Sequence, residues 1–185
     1  MNASVSVRAA RVADAAGIAR VHVETWRAAY PGIVPEGYLV NMTTSQQAAL
    51  WKASIHRARG ADTVLVAEGP GGAGIVGFGN CGRARRGGNR GEVFTLYVAG
   101  DWQGRGIGRA LLGRLFESLH GHGLNEAMIW VLSANPSRFF YEAMGGKRLA
   151  ERREPFSGMV LDETAYGWSD LGEWLAAQAD HERRQ

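Results

Sequence analysis

Between Tyr97 and Leu112 the chain reads YVAGDWQGRGIGRALL, with Gly104, Gly106 and Gly108 at alternate positions between two apolar runs. Before the glycines, Glu92 to Val98 (EVFTLYV) is rich in β-branched and aromatic residues and reads as a strand. After them, Ile107, Leu111, Leu115 and Leu119 fall on one stripe of an amphipathic helix. A helix leaves its first N–H groups without partners of its own, and its dipole makes the same end electropositive. Glycine there lets an anion approach the backbone, and Arg105 and Arg109 add cationic groups beside it. Two readings of the turn stand at this point, a phosphate cradle and a plain tight turn. The next apolar segment, Glu126 to Ala134, reads as another strand. Strand, helix and strand in this order predict a locally parallel pair joined by a right-handed crossover.

Two common phosphate motifs do not fit the letters. A P-loop ends in Gly-Lys-Ser/Thr, whereas Gly108 is followed by Arg109 and Ala110. The dinucleotide fingerprint spaces its glycines as G-x-G-x-x-G, whereas GRGIGR spaces them as G-x-G-x-G, with no convincing acidic residue at a following strand end.

The flanking segments predict a mixed α/β chain. Ser4 to Arg11 reads as a strand; Asp14 starts a helix carrying Ala19, Val23, Trp26 and Tyr30, which Pro31 and Gly32 end. A second helical region runs from Glu36 to Ala58, interrupted at NMTTS. DTVLVAEG and GIVGFGNCG form a predicted hairpin around GPGGAG, and the basic loop RARRGGNRG follows. Asn135 and Pro136 open a helix that a double glycine stops, and weaker strands near Lys147–Arg152 and Glu163–Trp168 precede a helix from Leu171. No repeat, linker or internal boundary interrupts the 185 residues, so a single domain spanning 1–185 is expected.

Composition limits what such a domain does. Its net charge of +3 lacks the dense basic face of a nucleic-acid binder. Cys81 is the only cysteine, which excludes an internal disulfide and a multi-cysteine zinc site, and His120 and His122 have no ligand cluster around them. No apolar run approaches the roughly 20 residues of a membrane span, and the start lacks a basic end followed by an apolar block. A cytoplasmic protein with no metal, nucleic-acid or membrane partner is expected, with a homodimer possible by the frequency of two-fold assemblies.

With its neighbours, the glycine turn resembles the GCN5-related N-acetyltransferase (GNAT) family. Gln103, Gly106 and Gly108 fit the Arg/Gln-x-x-Gly-x-Gly/Ala signature, LYV precedes it, GRALL follows, and NPSRFFYEAMGG stands where the family has Asn and Tyr on the next helix. TWRAAYPGI near the front is similar too, and the central match covers Glu92 to Gly146. The resemblance implies a mostly antiparallel central sheet, splayed in the middle and flanked by helices. It implies acetyl-coenzyme A as acyl donor, with the backbone of Leu96, Tyr97 and Val98 pairing with the pantetheine arm. Gln103, Gly104, Arg105, Gly106, Ile107, Gly108 and Arg109 would hold the pyrophosphate. Asn135 would meet the cofactor arm, or serve as a plain helix cap.

Acetyl transfer to an amine needs a proton acceptor for the amine and a donor for the departing thiolate. Tyr141 is the expected donor, since a phenol is protonated at neutral pH and able to hydrogen-bond a thiolate. Glu92, four residues before Leu96, stands where the resemblance implies a catalytic glutamate in some family members and is the expected base; period-two alternation places it on the face of Phe94 and Leu96, and the alternatives are a solvated strand-end glutamate beside Gly91 and a water chain in the base's place. The resemblance implies an acceptor site framed by the first two helices and the late strands, so Trp26, Tyr30 and Tyr38 are expected in one wall with Glu24 offering a charge for an amine, or packed in the core; the arginines of RARRGGNRG would greet an acidic acceptor or the cofactor's phosphates, or form a solvated hairpin tip. Cys81 shows no paired histidine for a covalent relay, so direct attack in a ternary complex is expected. The alternatives are a non-catalytic acyl-coenzyme A sensor and an enzyme acting on protein N-termini or lysines. Family members often have an aromatic residue where this chain has Gly146, and proline where it has Gly100, which leaves the acceptor end open.

Overall fold

The computed structural model describes residues 4–86 and 88–183; Met1–Ala3, part of the expected non-signal start, and Gly87 of the basic loop lie outside the described residues. Seven strands form one sheet: β1 (Ser6–Ala9), β2 (Thr63–Gly69), β3 (Gly74–Arg83), β4 (Gly91–Val98), β5 (Ala127–Leu132), β6 (Lys147–Phe156) and β7 (Met159–Trp168). Their spatial order is β1-β2-β3-β4-β5-β7-β6. All neighbours are antiparallel except β4 and β5, which are parallel as the strand-helix-strand pattern predicts.

Among the described residues six α-helices flank the sheet: α1 (Ala15–Ala29), α2 (Glu36–Asn41), α3 (Thr44–Arg57), α4 (Ile107–Gly121), α5 (Arg138–Ala143) and α6 (Leu171–Glu182). Helices α1 and α3 cover one face, where Ile18, Val21 and Trp51 bury Phe78 and Val66. Helix α4 covers the other with the predicted stripe, and Leu111, Leu112, Leu115, Phe116 and Leu119 are fully buried there. Its close approach depends on β3: a Cβ at Gly79 would lie 2.9 Å from the Leu115 side chain and 3.0 Å from the Thr95 carbonyl. Part of the chain's glycine excess thus serves helix-on-sheet packing.

The C-terminal strands extend further than the sequence pattern indicates. β6 and β7 are ten residues each and turn tightly at Ser157 and Gly158. The charged run RLAERRE leaves β6 only the weaker signal expected near Lys147–Arg152, because its residues face solvent and pair across the hairpin, Arg152 with Glu163 and Arg153 with Asp162. The second strand of this hairpin then inserts between β5 and β6.

Candidate active site

β4 and β5 stay paired only at Gly91–Ala127, Glu92–Met128 and Val93–Ile129. Beyond that point they diverge. Thr95 to Val98 keep β3 on one side and have no strand on the other. The gap widens into a cleft of about 220 Å³, lined by Leu96 and Tyr97 from β4, Trp130 and Leu132 from β5, Trp26 and Tyr30 from α1, and Asn135 and Tyr141 around α5. A sheet strand that leaves one row of N–H and C=O groups unpaired presents them to whatever fills the gap. Leu96 and Tyr97 line the cleft, and Val98 follows them on the same open edge.

At its far end β4 runs into the glycine turn. Gln103 donates from Nε2 to the Val98 carbonyl at 3.1 Å and ties the turn to the strand, a positioning contact that the motif alone does not reveal. Gly104 (φ +73°) and Gly106 (φ +78°) adopt the left-handed conformation, and a Cβ at either would touch nothing within 4 Å. Glycine is needed here for backbone conformation, and the space beside it stays open. Gly108 has a different reason: it lies in the first turn of α4, where the Phe140 ring comes within 3.2 Å of a would-be Cβ. Among the described residues, no backbone N–H from Gly104 through Arg109, Ile107 included, donates to a backbone carbonyl; the first to do so is Ala110, to Gly106 at 3.0 Å. This row of unfilled donors at a helix start suits a diphosphate. The Arg105 guanidinium lies 4.8 Å from the Trp102 ring centroid, beside the turn.

Asn135 stands two residues before the N-cap of α5, in the wall of the cleft. Its Oδ1 accepts from the Ser137 N–H at 2.9 Å, the turn-making contact, while Nδ2 donates to the Tyr30 hydroxyl at 3.1 Å within the cleft wall. Trp26 donates from Nε1 to the Tyr97 hydroxyl at 3.1 Å. These two bonds lock α1 to β4 and to the start of α5, so the aromatic wall and the strand edge form one unit. Tyr141 is buried at the cleft, and burial first, then nearby Tyr30, pushes its phenol above the ordinary range. It remains protonated at neutral pH, the state a proton donor requires. His22 packs beside them, its ring stacked on Tyr97 at 5.6 Å and its Nδ1 accepting from Trp51; burial lowers its pKa to about 4, so it is neutral.

The expected shared face of Glu92 and Leu96 is corrected by the register. Thr95 faces Asn80 but Val93 faces Cys81, so β4 carries an extra residue at Phe94 and its alternation reverses there. Glu92 consequently shares a face with Thr95 and Tyr97, opposite Leu96. Its carboxylate accepts the Arg85 N–H at 3.1 Å, and Glu92 is not among the residues lining the cleft. A bulge of this kind has no marker in a single sequence.

The basic loop is partly engaged: Arg83 donates to Asn89 at 2.6 Å, the Arg85 guanidinium lies 4.4 Å from the Phe94 ring centroid, and Arg90 is 3.8 Å from Glu126. Cys81 is buried, its thiol is pushed up to about 12 by burial and then by Asp62, and it donates to the Leu115 carbonyl at 3.7 Å. The residues missed by sequence reasoning are those supplied by the C-terminal hairpin, Phe156, Leu161 and Glu163, which line the cleft, with Phe156 and Leu161 packed in one cluster with Trp26 and Tyr30. Among the described residues no group of three or more His, Cys, Asp or Glu side chains is placed to hold a metal, and no helix is long and apolar enough to cross a membrane.

Comparison with known proteins agrees with this geometry. The chain is 36% identical over 169 residues to the uncharacterized N-acetyltransferase YuaI of Bacillus subtilis (strain 168), covering 90% of this chain and 94% of that one. It is 31% identical to the probable N-acetyltransferase Rv2775 of Mycobacterium tuberculosis, covering 88% and 92%. The same fold occurs in yncA of Salmonella typhimurium, solved with acetyl-CoA (TM-score 0.68, 22% identity, 92% and 96% covered). It also occurs in the paia N-acetyltransferase of Thermoplasma acidophilum, solved with coenzyme A (TM-score 0.67, 20% identity, 88% and 98% covered). The model of the acetyltransferase (GNAT) family matches residues 20–146, and the chain belongs to that family.

Proposed function

We propose that the protein transfers the acetyl group of acetyl-coenzyme A to a primary amine by direct attack within a ternary complex. The observation that carries this reading is a row of unfilled backbone groups in two stretches, the open edge of β4 beyond Val93 and the N–H groups of Gly104–Arg109, with a bonded turn at Ala99–Gln103 between them. An amide-bearing arm that ends in a diphosphate matches that row in kind and in order. The presence of coenzyme A or acetyl-CoA in the two solved relatives supports the same reading.

Acetyl-coenzyme A supplies an activated thioester; the protein's residues orient it and manage protons. In this reading the Leu96, Tyr97 and Val98 backbone pairs with the arm, and Gln103 through Arg109 hold the diphosphate. Asn135 braces the arm's side of the cleft while fixing Tyr30. Tyr141 donates its phenolic proton as the carbon–sulfur bond breaks, so the sulfur leaves as a thiol. Trp26 and Tyr30 form the acceptor wall. The amine's own proton passes to water at the cleft mouth, because Glu92 faces away from Leu96 and its carboxylate is already bonded to the loop. Cys81, buried with a raised pKa, is a poor nucleophile, which favours direct attack over a covalent relay.

Calorimetric titration with acetyl-coenzyme A, with ATP and NADH as controls, tests the reading. Binding of acetyl-coenzyme A alone is expected, followed by release of free thiol on addition of an amine from a panel. Folded protein that ignores acetyl-coenzyme A would overturn the assignment. Binding without thiol release from any small, peptide or protein amine would leave a non-catalytic sensor instead.

A further inference from the structure

The cleft contains a single ionisable carboxylate and no cationic side chain among its lining residues. That carboxylate is Glu163, on β7 opposite Leu132 of β5, with its side chain 18% exposed. Its Oε2 accepts from Arg152 Nε at 2.6 Å. Arg152 is held in turn, its guanidinium 4.1 Å from the Trp130 ring centroid and its Nε 3.7 Å from Glu154. One guanidinium thus serves two carboxylates, so the three side chains together carry one net negative charge, and Glu163 is the member of the group that lines the cleft. The same cleft presents the rings of Trp26, Tyr30 and Phe156, whose faces attract cations, together with apolar Leu161.

A primary amine reaches an enzyme at neutral pH chiefly as an ammonium ion. We propose that Glu163 anchors that ammonium, and that the acceptor class is a primary amine on an apolar body with no negative charge near the nitrogen. Arg152 orients the carboxylate, leaving Oε1 for the acceptor, and the aromatic rings hold the body. This rests on the acetyltransferase reading above and narrows it. It also competes with a defined alternative. A second cleft of about 360 Å³ shares Phe94 with the first and is lined by Arg57, Arg83 and Arg85 beside Asp62, so an acidic acceptor would reach toward it. The sign of charge beside the acceptor nitrogen separates the two.

The test compares phenethylamine with phenylalanine, which adds one carboxylate to the same body. Binding of each is measured by calorimetry on the protein alone and on its coenzyme A complex, beside acetyl transfer. Phenethylamine is expected to bind roughly tenfold or more tightly, and Glu163→Gln to weaken it by a similar factor, because each change removes or opposes a partly desolvated charge contact. The gap between the two amines should largely close in Glu163→Gln, while acetyl-coenzyme A affinity is retained. Glu163→Asp, which keeps the charge but withdraws it by one methylene, should fall between; it also serves if the glutamine variant fails to fold. The proposal is overturned if phenylalanine binds as well as phenethylamine, if Glu163→Gln leaves phenethylamine affinity intact, or if neither amine binds. Failure of the acetyltransferase reading is separate, since it appears as loss of acetyl-coenzyme A binding in the wild type, and amine binding is still read on the protein alone.

Discussion

Replacing Gly106 by alanine and by asparagine separates two reasons for a glycine at the start of α4. If glycine is there to make room, the smaller alanine must be the milder change. The structure argues for conformation: Gly106 has φ +78°, and a Cβ there meets no atom within 4 Å. An alanine held in the left-handed region costs about 1–2 kcal/mol. Reduced freedom of the unfolded chain returns about 0.5 kcal/mol, leaving a net loss of about 1 kcal/mol. For a domain of this length that lowers Tm by about 3 °C. Asparagine tolerates the left-handed region better, so its loss should be smaller despite its greater size. Strain that relaxes by rotating the turn would also misalign the N–H groups of Gly104–Arg109, and acetyl-coenzyme A affinity should fall about tenfold in the alanine variant, equivalent to about 1.4 kcal/mol. Thermal melts and calorimetry on the three proteins suffice. An alanine variant at least as stable and as tight-binding as the asparagine variant would refute the conformational argument.

Three other outcomes follow from the same geometry. Tyr141→Phe should lower kcat by roughly 10²-fold while acetyl-coenzyme A binding changes little; unchanged turnover would remove the phenol from the mechanism. His22 titrates near 4 when folded, against an ordinary value of 6.5, so the unfolded chain binds the extra proton between those limits. Its contribution to stability is therefore complete above pH 6.5 and declines toward pH 4, by up to roughly 3 kcal/mol, a dependence that His22→Gln should flatten in denaturant titrations at stepped pH. Cys81 should resist a thiol alkylating reagent in the folded protein at neutral pH and react once denatured; rapid native-state labelling would contradict its burial and raised pKa.

Much of the scaffold was legible in local pattern. The β-branched and aromatic content of β4, the stripe on α4 and the glycines between them are short-range features, each readable within one element. Their order also foretold the parallel β4–β5 pair. The charged hairpin β6–β7 was only half visible, because its stability comes from cross-strand pairing and from packing against β5, not from an apolar run of its own.

The sequence by itself determined that a strand enters a helix through a glycine turn, and that Asn135 and Tyr141 follow at the entry and in the body of the next helix. Those properties depend on backbone conformation and spacing, which neighbouring residues control. Only the tertiary structure decided where β4 parts from β5, which way Glu92 faces after the irregularity at Phe94, and that Glu163 lines the cleft. Each of these depends on how strands distant in the chain register against one another, and a shift of one residue in a sheet moves every later side chain to the opposite face.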